Sequence, residues 1–232
     1  MEQKRDNNRM VAALAIPVIM LIIMWTVYIL MRYFGFEEWI KYGLIPRETD
    51  GLIGIITWPF IHSISDSGHI INNSLPTLVL GWALFYFYSK KSWQVLILIW
   101  LLNGFCVWVA ARDAIHIGMS GIIYGLAAFL FTGGLLNRNR NLLGVSLIVT
   151  FLYGSMIWGI FPIEERISWE GHLWGAVSGV VFAWVFREKG PRKPQYSWET
   201  EDDLPDDGPW NETEEQTRNL TAWDVYTGNH SK

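Results

Sequence analysis

Cysteine is nearly absent from this 232-residue chain, which has only Cys106. One thiol cannot close an internal disulfide or build a zinc cluster, and its apolar neighbours make it a small buried hydrophobe. Metal-ligand spacing is missing as well. Neither an H-E-x-x-H nor an H-x-x-x-H pair occurs. His62, His69, His116 and His172 with Asp66 and Glu170 therefore make only a weak metal cluster, and no metal or cofactor is expected. Charge is lacking throughout six apolar runs, which argues against a transporter or channel with charged groups at mid-membrane.

What is present is hydrocarbon. Half of the residues are hydrophobic (51%) and 14 are Trp. Spanning a bilayer core takes roughly 20 apolar residues in a helix, so repeated runs near that length predict a polytopic membrane protein. The first run, Val11 to Met31, has 21 residues, about 31 Å of helix. It is too long for a signal-peptide core and no small-x-small cleavage site follows it, so it reads as a span. The other predicted spans are His69–Tyr88, Trp93–Ala111, Ser120–Leu136, Leu142–Ile160 and His172–Phe186. Gly51 to Ile61 is too short to cross and contains Pro59, so it reads as interfacial or re-entrant.

Basic residues set the direction. Eleven lie at the amino terminus, after spans two and four, and after span six: Lys4, Arg5, Arg9, Lys90, Lys91, Arg138, Arg140, Arg187, Lys189, Arg192 and Lys193. Five lie in the opposite loops: Arg32, Lys41, Arg47, Arg112 and Arg166. The positive-inside rule makes both termini cytoplasmic and puts the start of each even span on the outer side. Residues 199 to 224 carry ten acids against one base, Arg218, with little aliphatic content. That stretch reads as a disordered, solvated tail. The expected layout is a cytoplasmic segment 1–10, a membrane domain 11–187 and a cytoplasmic tail 188–232. A bacterial inner membrane suits the short amino terminus and the lack of an organelle-targeting pattern.

His69, Ser120 and His172 then sit at the outer ends of three spans. A serine hydroxyl becomes a useful nucleophile when a base takes its proton, and histidine is the usual base. Gly121 and Gly125 form one small-residue ridge, and Gly171, Gly175 and Gly179 form another beside His172. Such ridges let helices approach closely in lipid, which would bring Ser120 to His172. The competing reading is that the glycines mark packing alone. Tyr124 lies one turn after Ser120, where its ring could stack on His172 and orient it. No carboxylate is well placed for that task, since Glu170 diverges from His172 around the helix.

An attacked carbonyl needs donors for its developing negative charge. His69 and Asn73 share a helix face at a spacing of four. The backbone N–H groups of Met119 and Ser120 add donors at a helix start, and Gly118 would permit the tight turn that exposes them. His62 reads as bonding to backbone in the approach to span two, and His116 as ordering the loop before Ser120. If span four runs only from Ser120 to Gly134, it measures about 22 Å, short of a roughly 30 Å core. Ser120 would then lie below the outer surface, open to water from above and to a helix from the side.

Gly118-Met119-Ser120-Gly121 with Tyr124, His172-x-x-Gly175-x-x-x-Gly179 and His69-x-x-x-Asn73 together resemble the rhomboid family of intramembrane serine proteases. The resemblance covers about residues 10 to 187 and implies an all-α bundle of six transmembrane helices, and in this chain the first loop is expected to be short and interfacial. It implies Ser120 as nucleophile, His172 as general base, an oxyanion hole lined by His69, Asn73 and the Ser120 backbone, and Tyr124 stacked on His172. Thr57 and His62 resemble the family's polar approach to span two. Substrates would be transmembrane segments of other membrane proteins, with the lipid bilayer as the medium and no nucleic acid as partner. Three features depart from the family: Ile53-Gly54 stands where a Trp-Arg pair is often found, the first outer loop is short, and the spacing from His62 to His69 is slightly wide. A rhomboid-like protein that binds membrane helices without cutting them is the main competing class.

Overall fold

In an apolar medium a helix is the way for one segment to satisfy its own backbone polar groups, and the computed structural model is built of helices accordingly. It describes residues 2–152, 158–163 and 167–189. The expectations for the acidic tail, for Arg166 and for the 153–157 stretch of the fifth predicted span lie outside the described residues. The only β pairing among them is an isolated antiparallel bridge between Leu44 and His116.

Helices α1 (Glu2–Ala13) and α2 (Ala15–Tyr33) follow one another with a break at Leu14. Pro17 explains the break, because it has no N–H to return to the carbonyl of Ala13. The first predicted span, Val11 to Met31, therefore begins inside α1 and crosses that junction. The first loop contains 3₁₀ turns at Glu37–Tyr42, Asp50–Ile53 and Trp58–Phe60, with a four-residue helix α3 (Gly54–Thr57) between the last two. These pieces are too short to cross a bilayer, as expected for Gly51 to Ile61. Gly54 lies against the backbone of Gly43 and Leu44, with the Leu44 nitrogen 2.6 Å from where a Cβ would stand. No side chain fits at residue 54 without moving that backbone.

Helix α4 (Ser67–Phe87) starts at Asp66, whose Oδ1 accepts the Gly68 N–H at 2.9 Å. After it come α5 (Ser92–Ala110), α6 (Ser120–Leu136), α7 (Arg140–Leu152) and α8 (Trp169–Val185). His172 is thus the fourth residue of its helix rather than the first, because Trp169-Glu170-Gly171 are helical too. Among the described residues, three stretches are long and apolar enough to span a membrane: Asn7–Tyr33, Ser67–Phe87 and Ser92–Ala110. Helix α6 is a shorter apolar helix of 17 residues, about 25 Å long.

Helix α6 occupies the centre. Nearly every residue from Gly121 to Leu130 is buried. By contrast α2 and α5 expose Ile19, Ile22, Ile97, Leu101 and Phe105. Such a belt of aliphatic surface would be a liability in water and is ordinary against lipid. The most extensive packing joins α6 to α8. A Cβ on Gly175 would run into the Gly121 carbonyl, and one on Gly179 into the Gly125 carbonyl. The two glycine ridges are backbone-to-backbone contacts.

Candidate active site

That contact sets the height at which Ser120 and His172 meet. Ser120 is the first residue of α6, and its Oγ lies 2.8 Å from His172 Nε2. The other ring nitrogen, Nδ1, lies 2.8 Å from the Gly159 carbonyl oxygen. A carbonyl only accepts, so Nδ1 carries the proton in the neutral ring and Nε2 is left bare to accept the Ser120 O–H. This is the tautomer a general base requires. Tyr124 stacks on the imidazole with ring centroids 4.1 Å apart and planes 5° from parallel. His172 is therefore held through one nitrogen and one face, leaving Nε2 for the serine. The role of the Gly159 carbonyl had no signature in the sequence, since every residue offers a carbonyl.

The second half of the site is organised by His62, a buried residue. Its Nδ1–H donates to the Phe60 carbonyl at 3.3 Å. Its Nε2 accepts from Asn73 Nδ2 at 3.1 Å and from the Met119 backbone N–H at 3.4 Å. An amide group has two N–H bonds, so one anchors Asn73 and the other is left to aim. The Met119 N–H, expected to be an oxyanion donor, is directed at His62. A histidine directly after the apolar run Trp58-Pro59-Phe60-Ile61 was the available signal for this bridge, but its partner Asn73 lies 11 residues away on α4. His69 packs at Gly118, where a Cβ would come within 2.6 Å of its Nε2. Gly118 also has φ of +106°, a conformation that side chains avoid. Both requirements select glycine there. The rings of His62 and His69 are 5.0 Å apart, and no group of three or more His, Cys, Asp or Glu able to hold a metal ion occurs among the described residues.

Behind the pair, Gly121 faces Trp58 and Asn103 Nδ2, each 2.5 Å from where a Cβ would stand. Asn103 is fully buried on α5, a polar side chain that the apolar pattern of its helix gave no reason to single out. In the outer loop, His116 Nε2–H donates to the Arg112 carbonyl at 3.2 Å, and Nδ1 accepts from the Ser168 hydroxyl at 2.6 Å. Burial above all lowers the affinity of His116 for a proton.

His62 gives the fold an acid sensitivity. Burial pushes its imidazole down to about 3, with the charge of His69 adding to the effect and the Phe60 hydrogen bond opposing it. The folded state then binds fewer protons at this site than the unfolded chain. The stability it supplies is complete above the ordinary value of 6.5 and drains away as pH falls from there toward 3. The expected slope from this residue is up to about 1.4 kcal/mol per pH unit. Thermal unfolding in detergent, followed from about pH 7 to about pH 4, should show Tm falling with acid. His62→Gln should flatten the fall, and an unchanged slope in that variant would remove His62 as its source.

These features define a class: a helical membrane protein with a serine and a neutral histidine in contact where two glycine-ridged helices meet. A family model for the rhomboid domain matches residues 49–189, and the chain belongs to the rhomboid family, whose members are generally intramembrane serine proteases. It is an integral membrane protein. Uncharacterized proteins of Mycobacterium tuberculosis and Mycobacterium bovis are each 37% identical over 153 residues, which cover 62% of this chain and 62% of theirs. An uncharacterized Mycobacterium leprae protein is 34% identical over 153 residues, covering 62% of this chain and 59% of its own. The matched region is thus somewhat under two thirds of the relatives' length.

Proposed function

We propose that this protein is an intramembrane serine endopeptidase that cuts other membrane proteins in or beside their transmembrane segments. The observation that carries the reading is the 2.8 Å contact between Ser120 Oγ and a His172 nitrogen whose tautomer leaves it free to accept a proton. The Ser120 oxygen attacks the scissile carbonyl carbon as its proton passes to His172 Nε2. Asn73 Nδ2–H, His69 and the Ser120 backbone N–H stabilise the oxyanion. A preorganised donor of this kind contributes roughly 3 to 4 kcal/mol to barrier lowering. Collapse of the tetrahedral intermediate breaks the C–N bond, and His172 gives its proton to the leaving amine. Water then attacks the acyl carbon as His172 takes its proton, the bond between that carbon and Ser120 Oγ breaks, and His172 returns the proton to Ser120 Oγ.

In the same reading the bundle has six spans, both termini face the cytoplasm of a bacterial cell, and the site opens outward. At about 25 Å, α6 is shorter than a roughly 30 Å core. This supports a recessed site that water reaches from the outer face. A substrate helix hides its scissile bond in hydrogen bonds, so residues that weaken the helix near the cut should favour cleavage.

The test uses the purified protein in proteoliposomes with single-span reporter proteins, alongside labelling by a fluorophosphonate, which reacts with activated serines. The wild type should cleave reporters and label, and Ser120→Ala should do neither. Reporters bound but left uncut by a folded, unlabelled wild type would favour the helix-binding alternative.

A further inference from the structure

The loop that delivers Ser120, residues 111–119, is held from both sides. Toward the first loop, His116 and Leu44 exchange backbone hydrogen bonds at 2.8 and 2.9 Å. Arg47 bonds the Ala111 carbonyl at 2.6 Å and pairs with Asp113. Toward α8, Arg112 Nη2 donates to the Ile167 carbonyl at 2.6 Å, and the Ser168 hydroxyl donates to His116 at 2.6 Å. The last tie is ionic. Glu170, in the first turn of α8, accepts the Arg112 backbone N–H at 3.4 Å on Oε1, with Arg112 Nε 3.5 Å from the same oxygen.

Glu170 is an odd residue to bury. Its side chain is only 5% exposed against 36% for Arg112, and its second oxygen has no hydrogen-bond partner among the described residues. Desolvating a carboxylate is costly, and an ion pair in such a place is weak grounds for stability. The favourable field at a helix amino terminus offsets part of the cost. Two residues along a helix is a rotation of about 200°, so Glu170 points away from the face that carries His172 and makes no hydrogen bond to the reacting pair, although the imidazole feels its charge. What it does touch is the strap that ends in Ser120.

We propose that Glu170 is a positioning residue: through Arg112 it locks the first turn of α8 to the 111–119 strap and so sets the distance between His172 Nε2 and Ser120 Oγ. The two reacting groups arrive on different helices, and this tie couples the turn that carries one to the loop that delivers the other. The inference rests on the Ser–His reading given above.

The experiment measures kcat and KM on a single-span reporter, the rate of fluorophosphonate labelling, and Tm, for wild type, Ser120→Ala, Glu170→Gln, Arg112→Gln and the double variant. Glu170→Gln keeps the size and removes the charge. It should lower kcat and the labelling rate about 10- to 100-fold, the loss expected from a small misplacement of reacting groups, with KM within about twofold. Glu170→Gln added to Arg112→Gln should cost much less than it does alone, because the shared ion pair is already gone and only the Arg112 backbone N–H contact remains to be weakened. Arg112 is partly exposed, so its variant stands in if Glu170→Gln fails to fold. Labelling and kcat at wild-type levels, or a lower Tm with kcat unchanged, would overturn the positioning role and leave the hydrolase standing. A wild type that neither labels nor cleaves would remove the hydrolase reading, and this inference with it.

Discussion

Ser120→Ala and His172→Ala should each lower reporter cleavage by roughly 10⁴-fold or more, and the double variant should be no worse than the more damaged single. On the proposed mechanism, nucleophile and base act as one unit. Without the hydroxyl there is no acyl-enzyme, and without the imidazole the hydroxyl keeps its proton at neutral pH. The geometry makes His172 hard to replace, because its ring is used on three sides: Ser120 Oγ at 2.8 Å, the Gly159 carbonyl at 2.8 Å and the face of Tyr124. KM should change little, since neither atom is needed to hold a substrate helix. Multiplicative losses in the double variant would show two independent contributions instead of a dyad. Cleavage surviving in either single variant would place the chemistry elsewhere.

Gly175→Val should be nearly as damaging by a different route. A Cβ at residue 175 meets the Gly121 carbonyl, with the carbonyl carbon only 3.0 Å away. That neighbour is backbone and cannot swing aside, so the added bulk must push α8 off α6. Inserting a few carbons into a close-packed contact typically costs about 1 to 3 kcal/mol, and a separation of even 1 Å at the dyad is worth about 100-fold in rate. The expected result is a lower Tm together with loss of fluorophosphonate labelling, with Gly175→Ala intermediate. Gly144 on α7 has nothing within 4 Å of its absent side chain, so Gly144→Ala is the matched control and should label normally. Wild-type labelling by Gly175→Val would mean that the glycine ridge does not set the meeting of Ser120 and His172.

Much of the site was legible because its residues are polar in an apolar sequence. A hydroxyl, two imidazoles and an amide at the ends of hydrocarbon runs need a reason to be there, and helical spacing alone put His69 with Asn73 and Ser120 with Tyr124 on shared faces. Glycine spacing pointed to the α6–α8 contact for the same reason, since an absent side chain marks where another backbone comes close. What stayed hidden were partners identified only by position. His62 was expected to bond backbone and does so at Phe60, yet its second nitrogen organises Asn73 and Met119. Glu170 was set aside because it diverges from His172, and that divergence is what carries it to Arg112.

By itself, then, the sequence determined a helical protein suited to lipid and the set of side chains able to do chemistry, because composition and periodicity are local and survive without a fold. Only the tertiary structure decided which imidazole nitrogen is bare, which carbonyl orients the base, and how the strap before Ser120 is tied to the turn carrying His172. Those are contacts between atoms distant along the chain, and no local pattern encodes the direction of a ring nitrogen or the position of a carbonyl that every residue possesses.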